Sequence, residues 1–158
     1  MESIFLLKFL HVLGASVLFG TGIGIAFFML MAHRTGHAGV IAVTARFVVI
    51  ADFIFTATAV VVQPVTGVAL AWAIGLSSLD EPWIALSILI YILVGLCWLP
   101  VVFIQMRMRN LAKEAAVNNK PLPDQYRFLF RIWSVLGWPA FAGVIAIFAL
   151  MIWQPRWS

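Results

Sequence analysis

Charge is scarce in this chain. Asp, Glu, Lys and Arg together make up 10% of its 158 residues, against about a quarter in soluble domains. With so little to solvate a surface and 64% of residues hydrophobic, a water-soluble globule is excluded and an integral membrane protein is expected. Cysteine is nearly missing as well: Cys97 stands alone, which excludes an internal disulfide and a cysteine-built metal cluster. There is no phosphate-binding loop, dinucleotide fingerprint, HExxH or nucleophile elbow, so hydrolase and kinase chemistry drop out. Nor is there an internal repeat or a low-complexity stretch. At about 20 residues per spanning helix, the length holds roughly four spans with short loops and leaves no room for a separate soluble catalytic domain.

What is present is apolar and falls into four runs. The expected fold is all-α: a polytopic membrane protein in which residues 1–158 form a single domain, a bundle of four transmembrane helices spanning about 4–32, 47–75, 83–106 and 128–153. The first run continues past Met31 without a processing site, so it reads as a retained span rather than a cleaved signal. Residues 33–46 read as a polar turn rich in glycine and alanine, and 76–82 as a tight connection with Asp80 and Glu81. The stretch 107–127 is the one long polar segment, helical in composition around Lys113 and Glu114 until Asn118-Asn119-Lys120-Pro121-Leu122-Pro123 breaks it. The first and third helices are expected to project beyond the bilayer there.

Orientation follows from the bases, because cytoplasmic loops carry the excess of Lys and Arg. Arg34, Arg46, Arg107, Arg109, Lys113, Lys120, Arg127 and Arg131 fall in or beside the first and third loops, leaving Lys8 and Arg156 on the other side. Both termini are therefore expected outside a bacterial inner (cytoplasmic) membrane, periplasmic or extracellular. Trp72, Trp83, Trp153 and Trp157 all fall at the outer ends, where amphipathic rings settle in the headgroup layer. Topology thus accounts for the net charge of +4, and no nucleic-acid partner is expected. The lipid bilayer is the expected partner, together with further copies of the chain or a membrane partner subunit.

Ionisable groups inside a span cost a few kcal/mol on insertion scales, so each is a candidate functional residue. His11 lies roughly 10 Å into the outer leaflet when counted from Ile4 at 1.5 Å per residue. Neighbouring helices would offer Thr66, Gly67, Ser87 and Tyr91 at that depth. Two readings stay open. His11 could bind a haem iron through one ring nitrogen while the other donates to a hydroxyl or carbonyl, or it could be a neutral histidine tying helices together. Lys8, one turn nearer the surface, either snorkels to the interface or meets a carboxylate of a ligand. Gly14 and the small-residue ridge of Ser16, Gly20 and Gly24 leave room for a flat macrocycle or simply allow close helix packing, as do Ala59, Gly67, Ala71 and Gly75 on the second helix. His33 and His37 lie about 30 Å from His11 along the helix, so a haem held by two histidines of one chain is not expected.

Deeper in, Gln63 and a backbone carbonyl freed by Pro64 could touch a substrate or bond between helices. Asp52 falls at the depth of Gln105 and Arg131, six residues after Arg46. A structural ion pair of Asp52 with Arg131 or Arg46 is expected, since a lone buried carboxylate is costly. Met29, Met31, His33 and His37 form a short group that could hold copper(I) or simply pack.

Several segments carry a resemblance when taken together: Lys8-Phe9-Leu10-His11, Gln63-Pro64-Val65-Thr66-Gly67, Arg127-Phe128-Leu129-Phe130-Arg131-Ile132-Trp133 with Gly137-Trp138-Pro139, and Gln154-Pro155. From end to end the chain resembles an uncharacterised family of bacterial integral-membrane proteins, a domain of unknown function. More distantly it is similar to the HemJ-type protoporphyrinogen oxidases. That resemblance implies a helical membrane protein with haem b, an iron ligand at His11 in the Lys-x-x-His motif, and Lys8 as the matching basic residue. The third-helix lysine of those enzymes is missing, since Pro82-Trp83-Ile84-Ala85-Leu86-Ser87 stands there. A later histidine of that helix has no counterpart around Trp98, and residues 133–138 replace an Asn-Glu pair.

The resulting expectation is a haem b- or porphyrin-associated redox component with His11 as axial ligand and Lys8, Gly14, Tyr91 and Thr66 around the cofactor. HemJ-like oxidoreductase activity is the enzymatic form of that expectation, and it lacks the third-helix lysine. The competing expectation is a non-catalytic membrane subunit or assembly factor whose intramembrane polar residues are structural.

Overall fold

A computed structural model of the protein describes residues 2–76 and 81–155. Its elements are α1 (Glu2–Thr35), α2 (Ala38–Ala51), a π-helical turn (Asp52–Thr56), α3 (Ala57–Ala73), α4 (Pro82–Val117) and α5 (Asp124–Trp153), with no strand among the described residues. α2, the π turn and α3 run on as one apolar helix, Ala38–Ala73, so four helices are long and apolar enough to cross a membrane. The expected all-α architecture is the one observed. Asp80, Arg156 and Trp157 lie outside the described residues.

Local chemistry explains the joints. α1 stops where Gly36 takes φ +64°, a conformation that is inexpensive only without a Cβ. The Thr35 hydroxyl donates to the Ala32 carbonyl at 2.7 Å and accepts from the His37 N–H at 3.2 Å. Residues 38–46, which the sequence assigns to a polar turn, are helical instead, and the first loop shrinks to the Gly36 joint. Nothing after Gly36 breaks a helix, and Ile41 and Ala45 are buried in the core. α4 begins with Pro82 in its first turn, where a missing N–H costs nothing. It ends at Asn119, φ +50°, with the Lys120 N–H returned to the Ala115 carbonyl at 2.9 Å. At 34 and 36 residues, α1 and α4 are each over 50 Å by helix rise, roughly 51 and 54 Å against about 30 Å of hydrocarbon.

The packed core sits at the basic end of the bundle. Met29, Ile41, Met108, Ala112 and Tyr126 are almost completely buried there, with Phe130 and Trp133 beside them. α2 packs on both α1 and α4 in this half, whereas in the half that holds the start of α1 the helices group as α1 with α3 and α4 with α5. Phe19 of α1 ties the two pairs by stacking on Phe141 at 5.3 Å and meeting Phe148 edge-on at 5.5 Å. The π turn is what changes the partner: the Ala57 N–H reaches back to the Asp52 carbonyl, the extra residue rotates α3 relative to α2, and such insertions recur at functional sites.

Candidate functional site

The structure builds two polar layers inside the bundle. The one nearer the start of α1 centres on His11, half-buried on that helix. Its Nδ1 lies 3.0 Å from the Thr66 hydroxyl on α3. That hydroxyl has one proton, which it gives to the Val62 carbonyl at 2.8 Å. The Thr66 contact falls on Nδ1, the ring nitrogen that faces α3. No hydrogen bond reaches Nε2 from the described residues.

The helices approach closely enough for reciprocal insertion. A Cβ on Gly67 of α3 would lie 3.1 Å from Cε1 of His11, and a Cβ on Gly14 of α1 would lie 3.0 Å from the end of the Gln63 amide. Each glycine thus receives the polar side chain of the opposite helix. In the amide orientation that satisfies its neighbours, Gln63 donates to the His11 carbonyl at 2.9 Å and to His11 Nδ1 at 3.2 Å, and accepts from the Ala15 N–H at 3.2 Å. The sequence places Gly14 beside a cofactor, but the space it leaves is taken by Gln63.

Pro64 has no N–H for the carbonyl of Val60, four residues earlier. Tyr91 supplies the missing donor from α4, with its hydroxyl 2.6 Å from that oxygen. The freed carbonyl expected from sequence is therefore satisfied between helices. Tyr91→Phe should lower the melting temperature in detergent by about 2–4 °C, corresponding to roughly 1 kcal/mol for one intramembrane hydrogen bond in a chain of this size. An unchanged melting temperature would show that the carbonyl finds another partner. Ser87, expected in the same layer, bonds its own helix at the Trp83 carbonyl, 2.7 Å away. Lys8 is exposed one turn outside His11.

The second layer centres on Asp52, 3% exposed at the start of the π turn. Trp98 Nε1 donates to Asp52 Oδ1 at 3.2 Å. In its satisfying orientation the Gln105 amide donates to Asp52 Oδ2 at 3.0 Å and accepts from Trp133 Nε1 at 3.1 Å. Gln105, 2% exposed, thereby joins the second span, α4 and α5. Thr56, one turn after Asp52, is buried beside it, its hydroxyl without a close hydrogen-bond partner among the described residues. The expected ion pair is not made: Arg46 and Arg131 are both exposed, and neutral N–H donors hold the carboxylate. Depth along the helix axis matches Asp52 to the arginines, but their side chains lie on outward faces. Sequence reasoning misses Trp98 and Trp133; the usable signal is an indole N–H in mid-span, which needs an acceptor.

A family model described as "Predicted integral membrane protein (DUF2269)" matches residues 5–155. The chain belongs to this family. No curated protein and no solved structure matches it. The Met29–His37 group does not converge on one point: Met29 is fully buried in the core, His33 stacks on Phe130, and His37 is exposed. No three His, Cys, Asp or Glu side chains come together as a metal site among the described residues.

Proposed function

We propose that this membrane protein is a haem b- or porphyrin-associated redox component, lying in a bacterial inner membrane with both termini outside and His11 as the axial ligand. The observation that carries the reading is the one-sided engagement of the His11 ring. Thr66 engages it at Nδ1 and no hydrogen bond reaches Nε2 from the described residues, so Nε2 is the nitrogen open to a ligand while the group behind the ring orients it. The residues present fit one protein ligand and do not fit a pair of histidines from one chain. A bound haem supplies one-electron chemistry. Thr66 fixes the ring plane, Gly67 lets the imidazole lie against α3, and Lys8, exposed one helical turn before His11, would meet a propionate. Tyr91 and Gly14, both engaged by neighbouring helices, act by holding the layer together.

The second reading is a non-catalytic membrane subunit or assembly factor, and the interlock of Gln63 with α1 favours it. Haem content separates the two. Protein purified in mild detergent from haem-replete cells should carry haem in a fixed ratio to chain, and His11→Ala should lose it while eluting as the same particle. A colourless wild type, with His11→Ala merely less stable, would leave the structural reading.

A further inference from the structure

The basic end of the bundle holds a cavity of about 350 Å³ that takes no part in either polar layer. His33 from the last turn of α1, Gly36 from the joint, Leu122 from the α4–α5 connection, and Arg127, Phe130 and Arg131 from α5 line it. Its volume falls within the range of ordinary small-ligand sites, about 300–1,000 Å³. Arg127 and Arg131 stand four residues apart on one helix face, where like charges repel. The lining contains no Asp or Glu to compensate them.

Where α1 meets α5 the lining is aromatic. His33 lies flat on Phe130, with ring centroids 3.6 Å apart and planes 6° apart. Its Nδ1 is 3.4 Å from the hydroxyl of Tyr126, a side chain with no exposed surface. His33 is thus held by aromatic side chains of α5, the helix that also carries Arg127 and Arg131. Depth matters too. From Ile4 to His33 the helix rises roughly 44 Å, about the full thickness of a bilayer with its headgroups. The cavity therefore sits at headgroup level on the basic side.

We propose that this cavity binds a phosphate group, held by Arg127 and Arg131, and that its occupant is the headgroup of an anionic phospholipid. Guanidinium forks match phosphate oxygens in pairs, and basic pockets between spanning helices are where anionic headgroups dock. The apolar half of the lining, Phe130 and Leu122, suits the glycerol and first methylenes of a lipid and offers nothing to a free phosphate ion. The proposal is independent of His11.

The test compares charge inside the cavity with equal charge outside it. The full chain in neutral detergent is titrated with phosphatidylglycerol, with phosphatidylcholine and with inorganic phosphate, and bound molecules are counted by native mass spectrometry. Arg127→Gln/Arg131→Gln should weaken phosphatidylglycerol binding about thirtyfold. Arg107→Gln/Lys113→Gln removes the same charge from exposed positions outside the lining and should leave binding little changed. Gel filtration checks that both variants keep the wild-type particle. Equal losses in the two variants, no preference over phosphatidylcholine, or wild-type binding by the cavity variant would each overturn the proposal. Inorganic phosphate binding as tightly as the lipid, with the same loss in the cavity variant, would overturn the lipid as occupant while keeping the phosphate chemistry.

Discussion

Gly143→Leu should destabilise the bundle by about 3 kcal/mol or more, a fall in melting temperature of roughly 6–12 °C for a chain of this length. Gly143 lies where α5 meets α4. A Cβ there would stand 2.5 Å from Cγ2 of Val94 and 3.3 Å from Cγ2 of Ile90. Unstrained carbon contacts need about 3.5–4.0 Å, so the two helices would have to separate by roughly an ångström. Neither neighbour can fold away, because both are branched at Cβ and stiff. Helix propensity pulls the other way, since replacing glycine in a helix gains up to about 1 kcal/mol. The clash outweighs that gain. Gly137, on the same helix, has nothing within 4 Å of the place a Cβ would occupy, so Gly137→Leu should hold or raise the melting temperature. Thermal unfolding of the two variants in one detergent checks the sign difference. Equal effects would mean that α4 and α5 do not pack as described.

Gln105→Leu should have the next largest effect, through two hydrogen bonds rather than volume. It leaves Asp52 Oδ2 without its amide donor and the Trp133 N–H without an acceptor. In soluble proteins each unsatisfied buried group costs about 1–3 kcal/mol, but intramembrane bonds average about 0.6 and reach about 1.7 kcal/mol. With both partners buried and three helices joined, values near the upper membrane figure apply, for a total of about 2–3 kcal/mol. The partner experiment is a double-mutant cycle with Asp52→Asn, which weakens the demand for donors. The second substitution should recover part of the loss, with a coupling above about 0.5 kcal/mol. Strict additivity would show that Gln105 and Asp52 do not share a bond.

Residue spacing along straight helices carries much of this architecture: the four apolar runs, the basic ends and the depth of His11 opposite Thr66. What spacing does not carry is azimuth. The π turn at Asp52 leaves no mark in the sequence, yet it sets which way α3 faces and which side chains Asp52 meets. Pairing by depth alone therefore directs Asp52 to Arg131, when Trp98 and Gln105 stand on the correct faces. Pro64 announces an orphan carbonyl, but only the packing of α4 shows that Tyr91 takes it. The first loop is shorter than its composition suggests. Ala38 to Arg46 mixes small, β-branched and polar residues without a breaker, which fits a helix once Gly36 has turned the chain.

The redox reading stands or falls on Nε2 of His11 as a ligand position that Thr66 holds ready. Its most direct check is the reduced-minus-oxidised absorbance of purified His11→Ala, recorded with and without added imidazole beside the wild type. The expected result is a haem signal in the wild type, its loss in the variant, and its return when free imidazole fills the space left by the ring. A variant that keeps the wild-type signal, or a wild type with none, would contradict it.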